Sequence, residues 1–123
     1  MVFKCFRCGR DVDDPIPLSE DMRYCDKCFR EMLWKNLQLD LKRGYKDAES
    51  IMKTLRYYFP DDKEKQKDLL AAVMEGLCRF GAELPVGEAK KIFEKWNVGW
   101  VIAVEFLRLM SDKYGVRRIY GGG

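Results

Sequence analysis

The sequence contains no histidine, and this absence excludes several kinds of functional site at once. No Ser/His/Asp or Cys/His catalytic set can form, and a metal site must use other ligands. A Gly-rich phosphate-binding loop is missing as well. We therefore expect a protein that is not an enzyme and has no small-molecule substrate.

Long apolar runs are also missing. No segment reaches the ~20 apolar residues that a membrane-spanning helix requires, so we expect no membrane partner. The first residues have neither a long apolar stretch nor a small-residue cleavage site, so we expect no signal peptide. Together these features predict a cytoplasmic protein, in which thiols stay reduced. Ser, Thr, Asn and Gln are scarce beside Lys, Arg, Glu and Asp, which is typical of thermophilic sources.

The charge balance gives little indication of a partner. The chain has 23 Lys and Arg against 20 Asp and Glu, a net charge of +3 in 123 residues. Nucleic-acid-binding proteins usually carry a stronger basic excess. Hydrophobic residues make up 47% of the chain, enough for a core, and the length suits one domain or one domain with a small appendage.

The thiols, in contrast, are concentrated at one end of the chain. Four of the five cysteines form two Cys-x-x-Cys pairs, sixteen residues apart, within the first 28 residues. Two disulfides are one interpretation, but the spacing favours a tetrahedral Zn²⁺ site with the ligands Cys5, Cys8, Cys25 and Cys28. A redox pair is disfavoured because no βαβ pattern accompanies it. Iron remains an alternative occupant of a four-cysteine site.

We expect a single structural zinc ion, because four thiolates leave no open position for a reactive water. The stretch CFRCGRDV…RYCDKCF resembles the treble-clef class of zinc fingers over about residues 3–40. In that class a knuckle supplies the first two ligands and the start of a helix supplies the last two. The resemblance implies the metal and the fold but not the partner, since such modules occur in ribosomal proteins, transcription regulators and protein-binding modules.

Apolar periodicity predicts five helices after the first cysteine pair. Gly, Pro and acidic residues mark where each one starts and stops. The predicted helices run from Cys28 to about Arg43, from Asp47 as N-cap to just before Pro60, from an Asp61 cap to Gly81 with its apolar stripe at 68–80, over residues 88–96, and from Trp100 to about Lys113.

The last three helices have a recognisable order. A helix, a short helix, the turn Asn97-Val98-Gly99, a longer helix and a strand at 116–120 look like the helix-turn-helix pattern of small DNA-binding domains, with a reduced wing. We therefore predict a mainly α protein. A treble-clef zinc finger with its helix occupies residues 1–44, and a helical domain occupies 45–123, helix-turn-helix-like at 68–120.

The predicted helix WVIAVEFLRLM is apolar almost all round, which suits burial or a partner better than reading of base edges. Three interpretations remain open for it. They are a core helix, which we favour, a dimer or partner interface, and contact with DNA phosphates through neighbouring basic residues. The aromatic run RYYF at 56–59 could stack on bases, but we expect it to belong to the core.

Two functions follow as hypotheses. The first is a nucleic-acid-associated factor, more plausibly a DNA-binding transcription regulator than an RNA-binding protein. Its candidate contacts are Arg7, Arg10, Lys90, Lys91, Lys95, Arg117 and Arg118. The alternative is a protein–protein adaptor or homodimer that uses the apolar C-terminal helix. For any single basic residue, simple solvation is the less demanding interpretation.

Overall fold

The computed structural model describes residues 2–113, apart from the side chains at positions 82 and 111–113. Two short antiparallel hairpins precede five helices and one 3₁₀ turn. The elements are β1 (Phe3–Lys4), β2 (Asp11–Val12), β3 (Ile16–Pro17), β4 (Arg23–Tyr24), α1 (Asp26–Lys42), α2 (Lys46–Tyr58), α3 (Lys63–Phe80), the 3₁₀ turn Gly81–Glu83, α4 (Val86–Lys95) and α5 (Trp100–Lys113).

The hairpins have only two residues in each strand. Phe3 lies opposite Val12 in the first hairpin, and Ile16 lies opposite Tyr24 in the second. Isolated two-stranded hairpins are marginally stable at best in water. Ile16 and Tyr24 are buried, however, so the second hairpin contributes to the core of the protein.

Helix α1 turns one face to the interior. Phe29, Leu33 and Leu37 are all buried and recur every four residues, as helical periodicity requires. The helix ends before Gly44, whose φ of 77° a side chain rarely adopts. Helix α2 corrects a prediction, because it starts at Lys46 after Tyr45 and not at an Asp47 cap.

Helix α3 is the central element of the fold. It packs against α1, α2, α4, α5 and β3, so residues 69–77 are buried on every side. Its N-cap is Asp62, whose side chain accepts a hydrogen bond from the Lys65 backbone N–H at 3.0 Å. The prediction of Asp61 as the cap was therefore wrong by one residue. The helix starts five residues before the predicted apolar stripe at 68–80. The stripe does not mark this start because the first turn of the helix is polar.

A glycine in α3 lets the segment that follows this helix lie close to it. A Cβ on Gly76 would lie 2.8 Å from Leu84 Cδ2, inside van der Waals contact. Leu84 follows the 3₁₀ turn, so the glycine lets this connection lie directly against the helix. Gly76 thus fixes how closely the segment leading to α4 approaches.

Helices α3, α4 and α5 contact one another pairwise. A short turn joins α4 to α5, with Asn97 at a φ of 55° and the Val98 N–H donating to Phe93 O at 3.0 Å. The predicted sequence of helices is therefore present, while the strand expected at 116–120 lies outside the described residues. Among residues 2–113, no helix is both long enough and apolar enough to cross a membrane.

One buried cluster of apolar side chains includes residues from both ends of the described chain. It includes Cys5, Ile16 and Tyr24 from the hairpins, and Phe93 and Phe106 from the last two helices. The hairpins therefore pack directly on the helical body. Division of the chain into units at residue 44 stays a prediction.

Candidate metal centre

The first cysteine pair lies on a tight turn between β1 and β2. The Cys5 backbone N–H donates to Arg10 O at 2.8 Å, and the Gly9 N–H donates to Cys5 O at 2.9 Å. Gly9 has a φ of 76°, the left-handed conformation that glycine adopts without strain. This turn brings Cys5 and Cys8 to one side of the first hairpin.

The second pair lies at the start of α1. Cys25 is the N-cap residue, with an extended backbone and no side-chain cap hydrogen bond, so its sulfur is not used to cap the helix. Cys28 lies in the first turn, and both cysteines are buried. The positive end of the helix dipole favours the thiolate form of sulfurs at this position.

The structure brings the two pairs together. The Sγ atoms of Cys5, Cys8, Cys25 and Cys28 all lie within 4.8 Å of one another. Cys8 Sγ lies 3.9 Å from Cys25 Sγ, much farther than the ~2.05 Å of a disulfide. A tetrahedron with Zn–S bonds of ~2.3 Å has edges of about 3.8 Å. The four cysteines thus lie at metal-binding distance and can hold an ion such as zinc.

Burial keeps protons on part of the cysteine cluster when no cation is bound. Burial raises the pKa of Cys28 to about 12 and raises the pKa of Cys25 as well. For Cys5, burial acts in the same direction, but backbone hydrogen bonds from Cys25, Cys8 and Arg7 outweigh it and lower the pKa to about 6. Four adjacent sulfurs therefore do not all ionise without a compensating charge. A divalent metal supplies that charge and displaces the remaining protons.

Comparison with protein-family models, with curated proteins and with solved structures finds no match for this chain. The geometry of the cysteine cluster is therefore the firmest indication of function in the described residues.

Three of the predicted nucleic-acid contacts have partners within the described part of the protein. Arg7 Nη1 lies 3.0 Å from Glu31 Oε2, and Lys91 Nζ lies 3.6 Å from Glu88 Oε1. Lys90 Nζ lies over the ring of Trp100, 5.7 Å from its centroid. These three side chains are therefore already engaged within the protein.

Arg10 differs from the other predicted contacts. Its side chain is exposed, and it forms no ion pair within residues 2–113. Arg117 and Arg118 lie outside the described residues. Arg10 is thus the predicted contact that stays most available to a partner.

Lys95 lies in a charged network that the sequence did not reveal. Glu75 is only 2% exposed, and its carboxylate accepts hydrogen bonds from Arg79 Nε at 2.7 Å and Trp96 Nε1 at 2.8 Å. Lys95 Nζ lies 2.5 Å from the same carboxylate. The sequence contained one signal of this network, the Glu75–Arg79 spacing of four residues on a helix. It contained no sign that the carboxylate is buried.

The network extends to the metal-binding region at two points. Arg79 Nη1 reaches Asp14 Oδ1 at 3.1 Å, in the segment between the hairpins. Lys95 Nζ reaches Asp26 Oδ1, also at 3.1 Å, between the second pair of cysteines. We call Asp14, Asp26, Glu75, Arg79, Lys95 and Trp96 the Glu75 network. It joins α3 and α4 to both sides of the cysteine cluster.

Several apolar side chains remain on the surface. Phe6, between the first two cysteines, is 58% exposed, and Tyr24 packs edge-on against it at 5.9 Å between ring centroids. Tyr57 is 79% exposed, so the prediction that RYYF belongs to the core was wrong there, although Tyr58 and Phe59 are half-buried. The cause is geometric, since a helix turns successive aromatic side chains to different faces.

Helix α5 is only partly the core helix that the sequence predicted. Ala103, Phe106 and Met110 are buried, at the spacing of one helical face. Val101 is 68% exposed and Trp100 is 37% exposed. The helix thus covers the core with one face and presents an apolar N-terminal end to solvent.

Proposed function

We propose that this protein binds one structural Zn²⁺ ion through Cys5, Cys8, Cys25 and Cys28. We also propose that the turn from Cys5 to Arg10, which we call the knuckle, contacts nucleic acid. The distances between the four sulfurs support the zinc site, because all lie within 4.8 Å of one another and the Cys8–Cys25 distance of 3.9 Å is close to the edge of a four-thiolate tetrahedron. Such a shell has no position for water, so the role of the ion is to fold the chain. The bound ion would tie the first hairpin to the start of α1.

The zinc-site geometry also supports a treble-clef-like arrangement. The first ligand pair lies on a glycine-containing turn between short strands, and the second lies at a helix N-terminus. A direct test is zinc analysis of the purified protein by mass spectrometry, with Cys28→Ser as the variant. We expect about one zinc per chain in the wild type and almost none in the variant. Full zinc content in Cys28→Ser would contradict the proposed ligand set.

The exposure of Phe6 is the single observation that carries the nucleic-acid part of the proposal. An aromatic ring that is 58% exposed on a turn held at both ends by metal ligands is a rigid platform for a base. Arg10 lies four residues farther on, exposed and without an ion pair among the described residues. A base stacked on Phe6, with its phosphate near Arg10, would contact both side chains. This mode of contact favours single-stranded nucleic acid over a duplex.

Helix α5 offers less for DNA recognition. Within residues 100–110, where its side chains are described, Glu105 and Arg108 are the exposed charged positions, and Val101 is exposed as well. Reading of a major groove requires several polar side chains on one exposed face. The proposed contact therefore lies at the knuckle, and a role in transcription regulation remains a hypothesis.

The test measures binding of the zinc-loaded protein to single-stranded DNA, single-stranded RNA and duplex DNA at two salt concentrations. We expect an association constant above about 10⁴ M⁻¹ at low salt, falling steeply as salt rises. Phe6→Ala is expected to weaken single-strand binding at least ~10-fold. Tyr57→Ala is the matched control, because it removes another exposed aromatic side chain, far from the knuckle in sequence. Equal binding by both variants would refute the knuckle contact.

An adaptor function is the second candidate, supported by the apolar residues exposed around α5. Val101 is 68% exposed, Val86 is 62% exposed, and Trp100 adds a partly exposed ring. Light scattering tests the homodimer form of this function. A dimer in the wild type that Val101→Lys converts to a monomer would support it, whereas a wild-type monomer at all concentrations would argue against it.

A further inference from the structure

A pocket of about 350 Å³ lies on the side of the molecule formed by α1, α2 and the start of α3. This volume is at the lower end of the range for small-molecule sites. The lining residues are Trp34, Gln38, Met52, Arg56, Pro60, Asp61, Lys63 and Gln66. None of them belongs to the cysteine cluster, so the pocket is separate from the proposed metal site.

Gln66 lines this pocket with one of its hydrogen-bonding atoms left unpaired within residues 2–113. The residue is only 3% exposed, and its Nε2 donates to Phe59 O at 2.6 Å. Its Oε1 is buried and has no hydrogen-bond partner within the described part of the protein. Buried acceptors are nearly always paired, because an unpaired one loses its hydration without compensation. An external N–H donor in the pocket would satisfy it.

A second amide lies in the same pocket with a weak partner. Gln38 Nε2 contacts only the thioether of Met52, at 3.8 Å, and sulfur is a poor acceptor. Gln66 Oε1 is closed off from solvent, so a ligand reaches it only after a neighbouring side chain changes rotamer, which is common on binding. Gln38 lines the same pocket and gives up only its contact with Met52 if it changes rotamer. The pocket therefore offers one hydrogen-bond acceptor, Gln66 Oε1, and one donor, Gln38 Nε2. A ligand edge that carries a donor beside an acceptor would complement them.

The remaining lining groups have a mixed chemistry. Trp34 supplies an aromatic wall, Arg56 and Lys63 are exposed cations, and Asp61 is an exposed carboxylate. Neither cation forms an ion pair among residues 2–113.

We propose that this pocket binds a ribonucleotide, with the base against Trp34 and its polar edge on Gln38 and Gln66. Adenine suits the two amides, because it presents an amino donor beside a ring-nitrogen acceptor. Arg56 and Lys63 hold the phosphate, and Asp61 accepts from a ribose hydroxyl, a role that acidic residues have in dinucleotide sites. The proposal stands on these residues and does not depend on the knuckle contact.

Calorimetry on the full-length, zinc-loaded protein tests this site with adenosine monophosphate as the probe. We expect saturable binding with a dissociation constant on the order of 0.1 mM. The double variant Arg56→Ala/Lys63→Ala is expected to weaken it at least ~10-fold. The double variant Lys46→Ala/Lys53→Ala is the matched control, since it removes two exposed α2 cations that do not line the pocket.

Two further ligands separate nucleotide recognition from simple anion binding. Adenosine should bind more weakly than the monophosphate, and inorganic phosphate should bind more weakly still, because each supplies only part of the contacts. Gln66→Leu should abolish the preference for the monophosphate over inorganic phosphate. If this variant fails to fold, the surface double variant still decides, since both of its positions are exposed.

Comparison of the monophosphate with a short adenine oligoribonucleotide distinguishes a free nucleotide from a nucleotide within a strand. Tighter binding of the monophosphate identifies a free nucleotide as the ligand. Tighter binding of the oligonucleotide, lost in Arg56→Ala/Lys63→Ala, identifies a nucleotide within a strand. No saturable binding of either, equal effects of both double variants, or phosphate binding as tightly as the nucleotide would overturn the proposal. Phe6→Ala should leave monophosphate binding unchanged, so failure of the knuckle contact is distinguishable from failure of this one.

Discussion

Residues 2–25 form two hairpins with two-residue strands, whereas residues 26–113 form five helices, four of which pack around α3. The hairpins place three buried side chains in the core besides their cysteines, namely Pro15, Ile16 and Tyr24. Helix α3 alone buries every position from 69 to 77. The helical body therefore has a hydrophobic core sufficient to hold it, and the hairpin region depends on the cysteine cluster for most of its stability.

The two regions also differ in how their charges are arranged. Lys4 and Asp11 pair at 2.7 Å in the first hairpin, and both side chains are mostly exposed, so the pair contributes little stability. In the helical body, Glu75 is buried with two cations and an indole around it. Removal of a partner from such a buried group costs far more than removal of a surface charge.

Removal of zinc is the change expected to have the largest effect on this comparison. Metal binding contributes on the order of 10 kcal/mol to the folding of such small modules. Chelation should therefore abolish amide protection at Cys5, Phe6, Gly9 and Leu18, whose N–H groups are hydrogen-bonded in the hairpins and turns. Helix α3 should keep its protection. Hydrogen exchange with mass-spectrometric detection measures both regions in one sample.

Cys78→Ser is the control for this experiment, because Cys78 lies outside the four-cysteine cluster. It should bind zinc as the wild type does and respond to chelator in the same way. Hairpin amides that remain protected after complete loss of metal would show that the apolar contacts of Ile16 and Tyr24 suffice without the ion.

Neutralising Glu75 is expected to have the next largest effect. Glu75→Gln keeps the shape of the side chain but leaves Arg79 and Lys95 without their shared carboxylate, at a cost of about 3 kcal/mol. Urea unfolding measures this loss. Because the Glu75 network reaches Asp14 and Asp26, the hairpin region should also lose protection.

Glu88→Gln is the matched change at an exposed carboxylate, which pairs with Lys91 at 3.6 Å. Its effect should stay within about 0.5 kcal/mol. Similar losses in the two variants would mean that burial of Glu75 has no special energetic consequence.

Loss of the α3 cap should destabilise the helical body by a smaller amount. Asp62→Ala removes the hydrogen bond to the Lys65 N–H and is expected to cost about 1 kcal/mol. Asp61→Ala, one residue earlier, should have little effect. Thermal unfolding of the two variants distinguishes them, and zinc content should be unchanged in both. A larger loss in Asp61→Ala would restore the cap that the sequence predicted.

A change of pH should produce the smallest effect. Tyr58 donates to Glu105 Oε2 at 2.6 Å, and this hydrogen bond raises the pKa of Tyr58 to about 12 from its ordinary value of 10.0. The raised pKa favours the protonated folded form, so the contribution is fully present below pH 10 and is lost as pH rises towards 12. The stability difference between wild type and Tyr58→Phe should shrink across this interval. A constant difference would mean that the hydrogen bond does not stabilise the fold.

Local patterns predicted the helices and the grouping of the cysteines, because both follow from spacing along the chain. Helix α5 runs from Trp100 to Lys113 as expected, and α1 differs from its prediction by one or two residues at each end. The four sulfurs come together from two Cys-x-x-Cys turns. The zinc identity of the ion stays a prediction.

Long-range contacts could not be predicted in this way. Lys95 has the appearance of a surface cation in the sequence, yet it pairs with Asp26, which is 69 positions away. Gln66 resembles any polar residue in the first turns of a helix, and only the packing of α1 and α2 buries it. The exposure of Tyr57 likewise depends on which face of α2 meets α3. These properties arise from tertiary packing, which no local period encodes.

The reach of the Glu75 network has a consequence for the order of events during synthesis. Its links to the metal-binding region join residues 65 and 69 positions apart. All four cysteines have emerged from the ribosome well before α3 and α4 are complete, and amino-terminal parts generally fold first. The nascent chain can therefore capture its ion while the helices are still being made. Arg79 and Lys95 would then dock a finished metal module onto the bundle as the final step of assembly.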